Sequence, residues 1–171
     1  MIWRMDLPTS RIPALGPRGE GWVALQSAAL FLVVVGTRFG PTIAITDRGV
    51  ASVLASIGSL FLGIGLAFLA AGIYTLARAG AFTVFARPAA TGRLVETGVF
   101  RVVRHPVYSG LVFASLGSGL VRLSPVTLIG AGLLFAILDL KRRREETWLT
   151  ERYPGYPAYR SRTKALIPRL Y

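Results

Sequence analysis

Two short stretches carry side chains capable of chemistry. One is Arg101-Val102-Val103-Arg104-His105-Pro106-Val107-Tyr108-Ser109-Gly110, where a basic, polar segment gives way to an apolar one. The other is Lys141-Arg142-Arg143-Arg144-Glu145-Glu146, where the last apolar run ends. Proline fixes φ near the helical value and lacks only an N–H that a first turn leaves unpaired, so a helix is predicted to start at Pro106. His105, just before the proline, is pushed out of the helical region and falls at the cap. The N–H groups of Val107, Tyr108 and Ser109 then point back toward Arg101, Arg104 and His105. The positive end of a helix dipole beside three potential cations is an anion site. The same arginines would equally serve as topology signals outside a membrane helix, and Tyr108 as an interfacial aromatic. Glu145 and Glu146 lie within about one turn of an apolar run, where a carboxylate is expensive unless paired or facing a polar cavity. The four cations before them read as a block that stops translocation, with Arg142 facing lipid headgroups.

The elements that must position these groups are apolar helices. The chain of 171 residues is 53% hydrophobic and 16% charged, with several long uncharged runs, which points to a polytopic membrane protein. With no cysteine, disulfides, thiolate nucleophiles and Cys-ligated metals are excluded, and a single histidine leaves no His-rich metal site. Lys and Arg outnumber Asp and Glu by 20 to 8. Because these cations sit between and after apolar runs, anionic lipid headgroups rather than nucleic acid are the expected partner.

In chain order, residues 1–20 read as a surface segment broken by Pro8, Pro13 and Pro17, without the apolar core of a secretory signal. Residues 21–77 hold two apolar runs expected to pack as helices, 21–37 and 50–77. In the second, Ala51, Ala55, Ser59, Gly63, Ala67 and Ala71 recur at every fourth position, a ladder expected to let another helix approach closely. Residues 78–171 form the third region. It opens with a basic loop to Arg104, interrupted by Gly80, Pro88, Gly92 and Gly98. Two shorter apolar runs, 107–121 and 124–140, read as a helical hairpin. An amphipathic helix follows, then a turn through residues 153–159 and a basic tail. The fold class is all-α integral membrane, with about four transmembrane helices, a cytoplasmic loop for a cofactor and a C-terminal amphipathic helix. Arginines concentrate on the side holding Arg4, Arg11, Arg18 and the 78–104 loop, against Arg38, Arg48 and Arg122 on the other, so both termini are expected to be cytoplasmic.

Leu94-Val95, Thr97-Gly98-Val99-Phe100 and Arg104-His105-Pro106-Val107-Tyr108-Ser109-Gly110, followed by Glu145-Glu146, Tyr153, Tyr156, Tyr159 and Ile167-Pro168, resemble the isoprenylcysteine carboxyl methyltransferase family of integral membrane enzymes. Membrane phospholipid N-methyltransferases share the Arg-His-Pro-x-Tyr-x-Gly and paired-Glu features. The resemblance spans roughly half the chain and implies S-adenosylmethionine as methyl donor. It implies a cofactor site lined by Leu94, Val95, Phe100, His105, Pro106, Val107, Tyr108 and Glu145, with Lys141 facing the acceptor.

Elementary chemistry is compatible with that implication. The helix start with His105 and Arg104 suits the cofactor carboxylate, and Glu145 suits its ammonium. Phe100 and Tyr108 suit adenine packing or cation–π attraction to the sulfonium. Methyl transfer needs mainly alignment and water exclusion. A carboxylate acceptor needs no base; for an amine, Glu146 is the nearest candidate, which with Arg104 makes the expected catalytic pair. The acceptor is read as a lipid-like or prenylated small molecule offering a carboxylate or an amine. Two other readings stay open: a nicotinamide-dependent membrane lipid reductase, since sterol reductases have a related helical architecture, and a non-enzymatic helical membrane subunit.

Overall fold

The computed structural model describes residues 12–85, 87 and 93–170. Most of the expected surface segment, with Arg4 and Arg11, lies outside the described residues, as do Pro88 and Gly92 of the basic loop. The described chain is helical, with an isolated bridge between Val103 and Lys164 as its extended pairing. The helices are α1 (Glu20–Phe39), α2 (Arg48–Arg78), a 3-10 turn (Gly98–Arg101), α3 (Pro106–Arg122), α4 (Pro125–Arg152) and α5 (Tyr156–Arg162). α1 and α2 are long and apolar enough to cross a membrane. The 17 residues of α3 span only about 25 Å at 1.5 Å per residue.

Their starts and stops follow local chemistry. Pro106 and Pro125 occupy first-turn positions of α3 and α4. Asp47 caps α2 by accepting from Gly49 and Val50 N–H, and Ser124 caps α4 by accepting from Thr127 N–H. The last helix differs from expectation. Residues from Tyr156 onward form α5 rather than a plain turn, because Pro157 sits in its first turn, where a missing N–H does no harm.

α1 packs on α4 and α2 on α3, so the two N-terminal helices are each joined to the C-terminal hairpin rather than to one another. Close approach of α2 and α3 is permitted by Gly58, Gly65 and Gly72. A Cβ on Gly58 would lie 2.8 Å from Val121 N, one on Gly72 2.9 Å from Val107 Cγ2, and one on Gly65 would collide with Ala114 N. This corrects the ladder read from sequence: nothing lies within 4 Å of a Cβ built on Gly63, and Ser59, Ala67 and Ala71 are exposed. The reason is helical phase. Each four-residue step advances about 40° beyond a full turn, so a long ladder winds round the helix, whereas a seven-residue step drifts by only about 20°. The α1–α4 seam is polar at one end: Ser124 Oγ donates to Gly36 O at 3.0 Å, and the Thr37 and Thr127 hydroxyls lie 3.2 Å apart. At the other end Trp22 packs with Trp148.

Candidate active site

The charged turns of α4 beyond Leu140 project past the hairpin and meet the 3-10 turn, the start of α3, and the tail. The tail is fixed by its backbone. Arg104 N–H donates to Lys164 O and His105 N–H to Ala165 O, at 2.9 and 3.1 Å, and Ser109 Oγ donates to Leu166 O at 2.6 Å. The Tyr159 hydroxyl donates to Phe100 O at 2.7 Å and so ties α5 to the 3-10 turn.

Glu146, 3% exposed, sits where these segments converge. Its Oε1 accepts from Arg104 Nε at 2.7 Å and from His105 Nε2 at 3.1 Å, with Arg142 Nη1 at 3.5 Å; Arg160 Nε lies 3.3 Å from Oε2. Burial alone would raise its carboxyl pKa, but the hydrogen bonds and positive charges of His105 and Arg104 outweigh it and hold the group well below the usual carboxylate range. Glu145, one residue earlier and about 100° round the helix, has the opposite setting. Burial pushes it up, and His105, the Tyr108 hydrogen bond and Lys141 only partly pull it back. Tyr108 donates to Glu145 Oε2 at 2.7 Å and stacks on His105, with ring planes 8° apart and centroids 5.3 Å apart.

A cavity of about 80 Å³ lies beside the pair. Of the residues expected at a cofactor, Leu94, Val95, Phe100, His105 and Glu145 line it, and Arg104 joins them. Pro106 and Val107 are turned instead toward Gly72 of α2. Tyr108 reaches the site through Glu145 rather than through the cavity wall. Lys141, 1% exposed, donates to Gln26 Oε1 at 2.7 Å and Val84 O at 3.0 Å, tying α4 to α1 and the basic loop.

Two expectations change. Arg142 does not face headgroups: it is 6% exposed and bonded to Asp139, because residues 139, 142 and 146 fall on one inward helix face. The anion site at the start of α3 is not left open either. Arg104 and His105 are neutralised by Glu146, Arg104 also donates to Thr163 O at 2.6 Å, and Arg101 stays exposed. Sequence reasoning passed over Asp139, hidden in an apolar run, and Arg160. It also gave no role to Tyr156, which lines the cavity at 1% exposure with a buried hydroxyl that has no partner among the described residues. Their signal was only helical spacing from Glu146 and the aromatic repeat of the tail.

A family model described as phospholipid methyltransferase matches residues 53–155, more than half of the chain. The chain belongs to the phospholipid methyltransferase family. The matched residues run from within α2 to the loop after α4 and so contain both carboxylates, the 3-10 turn and the start of α3, while α5 and the tail lie beyond them. With two membrane-length apolar helices, this member of the family is a membrane protein. The chain is also similar to the protein-S-isoprenylcysteine O-methyltransferase of Saccharomyces cerevisiae, at 26% identity over 153 residues. That alignment covers 88% of this chain and 64% of the yeast protein, so the chain spans less than two thirds of its relative.

Proposed function

We propose that this protein is an S-adenosylmethionine-dependent methyltransferase that crosses the membrane four times and methylates a lipid-like acceptor at its cytoplasmic face. The observation that carries the reading is the pair of adjacent carboxylates in opposite settings beside one cavity: Glu146 locked by cations, Glu145 available at the wall. The family and the name of the yeast relative support methyl transfer as the chemistry. Both termini on the cytoplasmic side accord with the arginine distribution. The three regions, 1–20, 21–77 and 78–171, then serve as a surface segment, a supporting pair of helices and the catalytic part.

The residues fit this cofactor in chemistry. Glu145 offers a carboxylate to its ammonium, Phe100 with Leu94 and Val95 an apolar wall, and Tyr156 an unused donor. The 80 Å³ enclosed is well below the roughly 300 Å³ at which small-molecule sites begin, so the walls must part on binding. When bound, S-adenosylmethionine supplies the methyl group. The chain's own contribution is to hold, align and exclude water. Glu146 and Arg104 act by positioning, since a carboxylate already shared among cations has little affinity for a further proton. Glu145 is the carboxylate able to take one, and holding an ammonium competes with that. This favours an acceptor that arrives ionised, such as a carboxylate, over an amine that must lose a proton. Lys141, committed to Gln26 and Val84, orders the acceptor side of the basic loop.

Membranes containing the protein, supplied with methyl-labelled S-adenosylmethionine, should yield a labelled lipid-like product by mass spectrometry. A base-labile label identifies a methyl ester and a base-stable one an N-methyl group. Saturable binding of NADPH in place of S-adenosylmethionine would overturn the reading in favour of a reductase, and binding of neither would leave a non-enzymatic subunit.

A further inference from the structure

Toward the end of the bundle opposite Glu145 and Glu146, α1 and α2 stand apart over α3. The cleft between them has a volume of about 650 Å³ and is lined by Leu30 and Val34 of α1, Leu62 of α2, and Leu111 of α3. Its charged lining groups are Arg38 and Arg122, at the mouth. Arg122 Nε donates to Thr37 O at 3.1 Å, which sets the guanidinium across from α3 to α1. Arg38 lies 5.4 Å from the ring of Phe39. Neither has a carboxylate partner among the described residues, and Asp47, the acidic residue of the α1–α2 connection, is used in capping α2. The lining of α3 from Leu111 to Arg122 runs about 17 Å, close to the depth of one leaflet of a roughly 30 Å hydrocarbon core.

We propose that this cleft holds one anionic phospholipid, an acyl chain lying along α3 between α1 and α2 and the phosphate between Arg38 and Arg122. Charge complementarity selects the occupant: two guanidiniums without acids stand over an apolar trough one leaflet deep, on the face of the bundle poorest in cations. The lipid joins α1 to α2, which the protein itself leaves apart. Its phosphate site at Arg122 lies about 25 Å along α3 from His105 of the cofactor cavity, so this headgroup is not the methyl acceptor and the inference stands whether or not the proposed methyl transfer does.

The test is native mass spectrometry of the detergent-purified, delipidated full chain, titrated with phosphatidylglycerol or with phosphatidylcholine of the same acyl chains. A one-to-one phosphatidylglycerol complex is expected, weakened about fivefold by Arg38→Gln and by Arg122→Gln individually. Arg48→Gln, a cation of the same face outside the cleft, should leave it unchanged. Val34→Trp, which fills the trough from an exposed position on α1, should abolish the complex while circular dichroism stays that of the parent. Equal retention of phosphatidylcholine, or equal losses from Arg48→Gln and Arg122→Gln, would overturn the proposal, because the arginines would then act only as general surface charge.

Discussion

Tyr156→Phe separates a ligand-facing hydroxyl from a structural one. The hydroxyl is buried without a protein partner, its ring packs edge-on against Tyr159, and burial, then Glu146 and Glu145, push its pKa up, so it remains a donor at any working pH. A buried hydroxyl left unpaired costs about 1–3 kcal/mol, so removing it should leave the unliganded protein as stable as the parent or more so, by up to that amount. For a chain of this length each kcal/mol is a rise of roughly 2–4 °C in Tm. With cofactor bound, the lost hydrogen bond should weaken affinity about 2- to 10-fold, and more if its acceptor is charged. The assay is calorimetric titration with S-adenosylhomocysteine in detergent, alongside thermal melts with and without it. Tyr159→Phe is the contrast. Its hydroxyl already satisfies Phe100 O, so its loss should lower Tm without ligand. If Tyr156→Phe lowers Tm and leaves affinity unchanged, the hydroxyl serves the fold and the cavity is not the cofactor site.

The two carboxylates should respond in opposite directions to loss of charge. Glu146→Gln removes the shared partner of Arg104 and Arg142 and should cost about 3–5 kcal/mol of stability at neutral pH, read as loss of the folded fraction in detergent. Because its folded pKa is depressed, the Glu146 contribution is present above the ordinary carboxylate range and fades only as pH falls below it; melts between pH 5 and 8 should show no such loss. Glu145, whose folded pKa is raised, instead costs stability as pH rises through the window above the unfolded value, so Glu145→Gln should raise the unliganded Tm at pH 7 while weakening cofactor binding on the order of tenfold. On α2, Gly65→Ala should destabilise by about 1–3 kcal/mol or more through its collision with α3, and Gly63→Ala should do nothing measurable; equal thermal shifts would refute the seven-residue seam.

What could be read in the chain beforehand was what depends on neighbours in sequence. Apolar runs, with Pro106 and His105 at the start of one, located four long helices because each signal acts within a turn or two of itself. The glycine seam on α2 was not legible as a contact. A small side chain shows where close approach is possible, and phase relative to a partner decides where it happens; that partner, α3, meets Gly72 at Val107, 35 residues further along the chain, and Gly58 at Val121, 63 residues further along. The basic block after Leu140 was misread for the same reason. Four consecutive cations look alike in composition, but 141 and 142 turn inward while 143 turns out. The long-range meeting with Gln26 and Val84 marks Lys141 as inward, while Asp139, one turn back on the same helix, bonds both Arg142 and Arg143 and does not separate them.

The adjacency of Glu145 and Glu146 follows from the same geometry. Two consecutive helical residues point about 100° apart, so one helix can present a carboxylate to an ion cluster and another to a cavity without a turn between them. Burying a lone charge costs several kcal/mol, and Glu146 persists in the interior because the 104–105 segment, α4 and α5 all deliver cations or donors to it. The Val103–Lys164 bridge and the Ser109 hydroxyl fix the backbone that delivers them. Removing Glu146 leaves Arg104 buried without its carboxylate, so the cations that meet there depend on it. Glu145 inherits its place from that assembly: the helix phase set by Glu146 turns it to the cavity, where Tyr108 orients it and burial raises its affinity for a positive partner. On the proposed function, Glu146 thereby sets where Glu145 meets the cofactor.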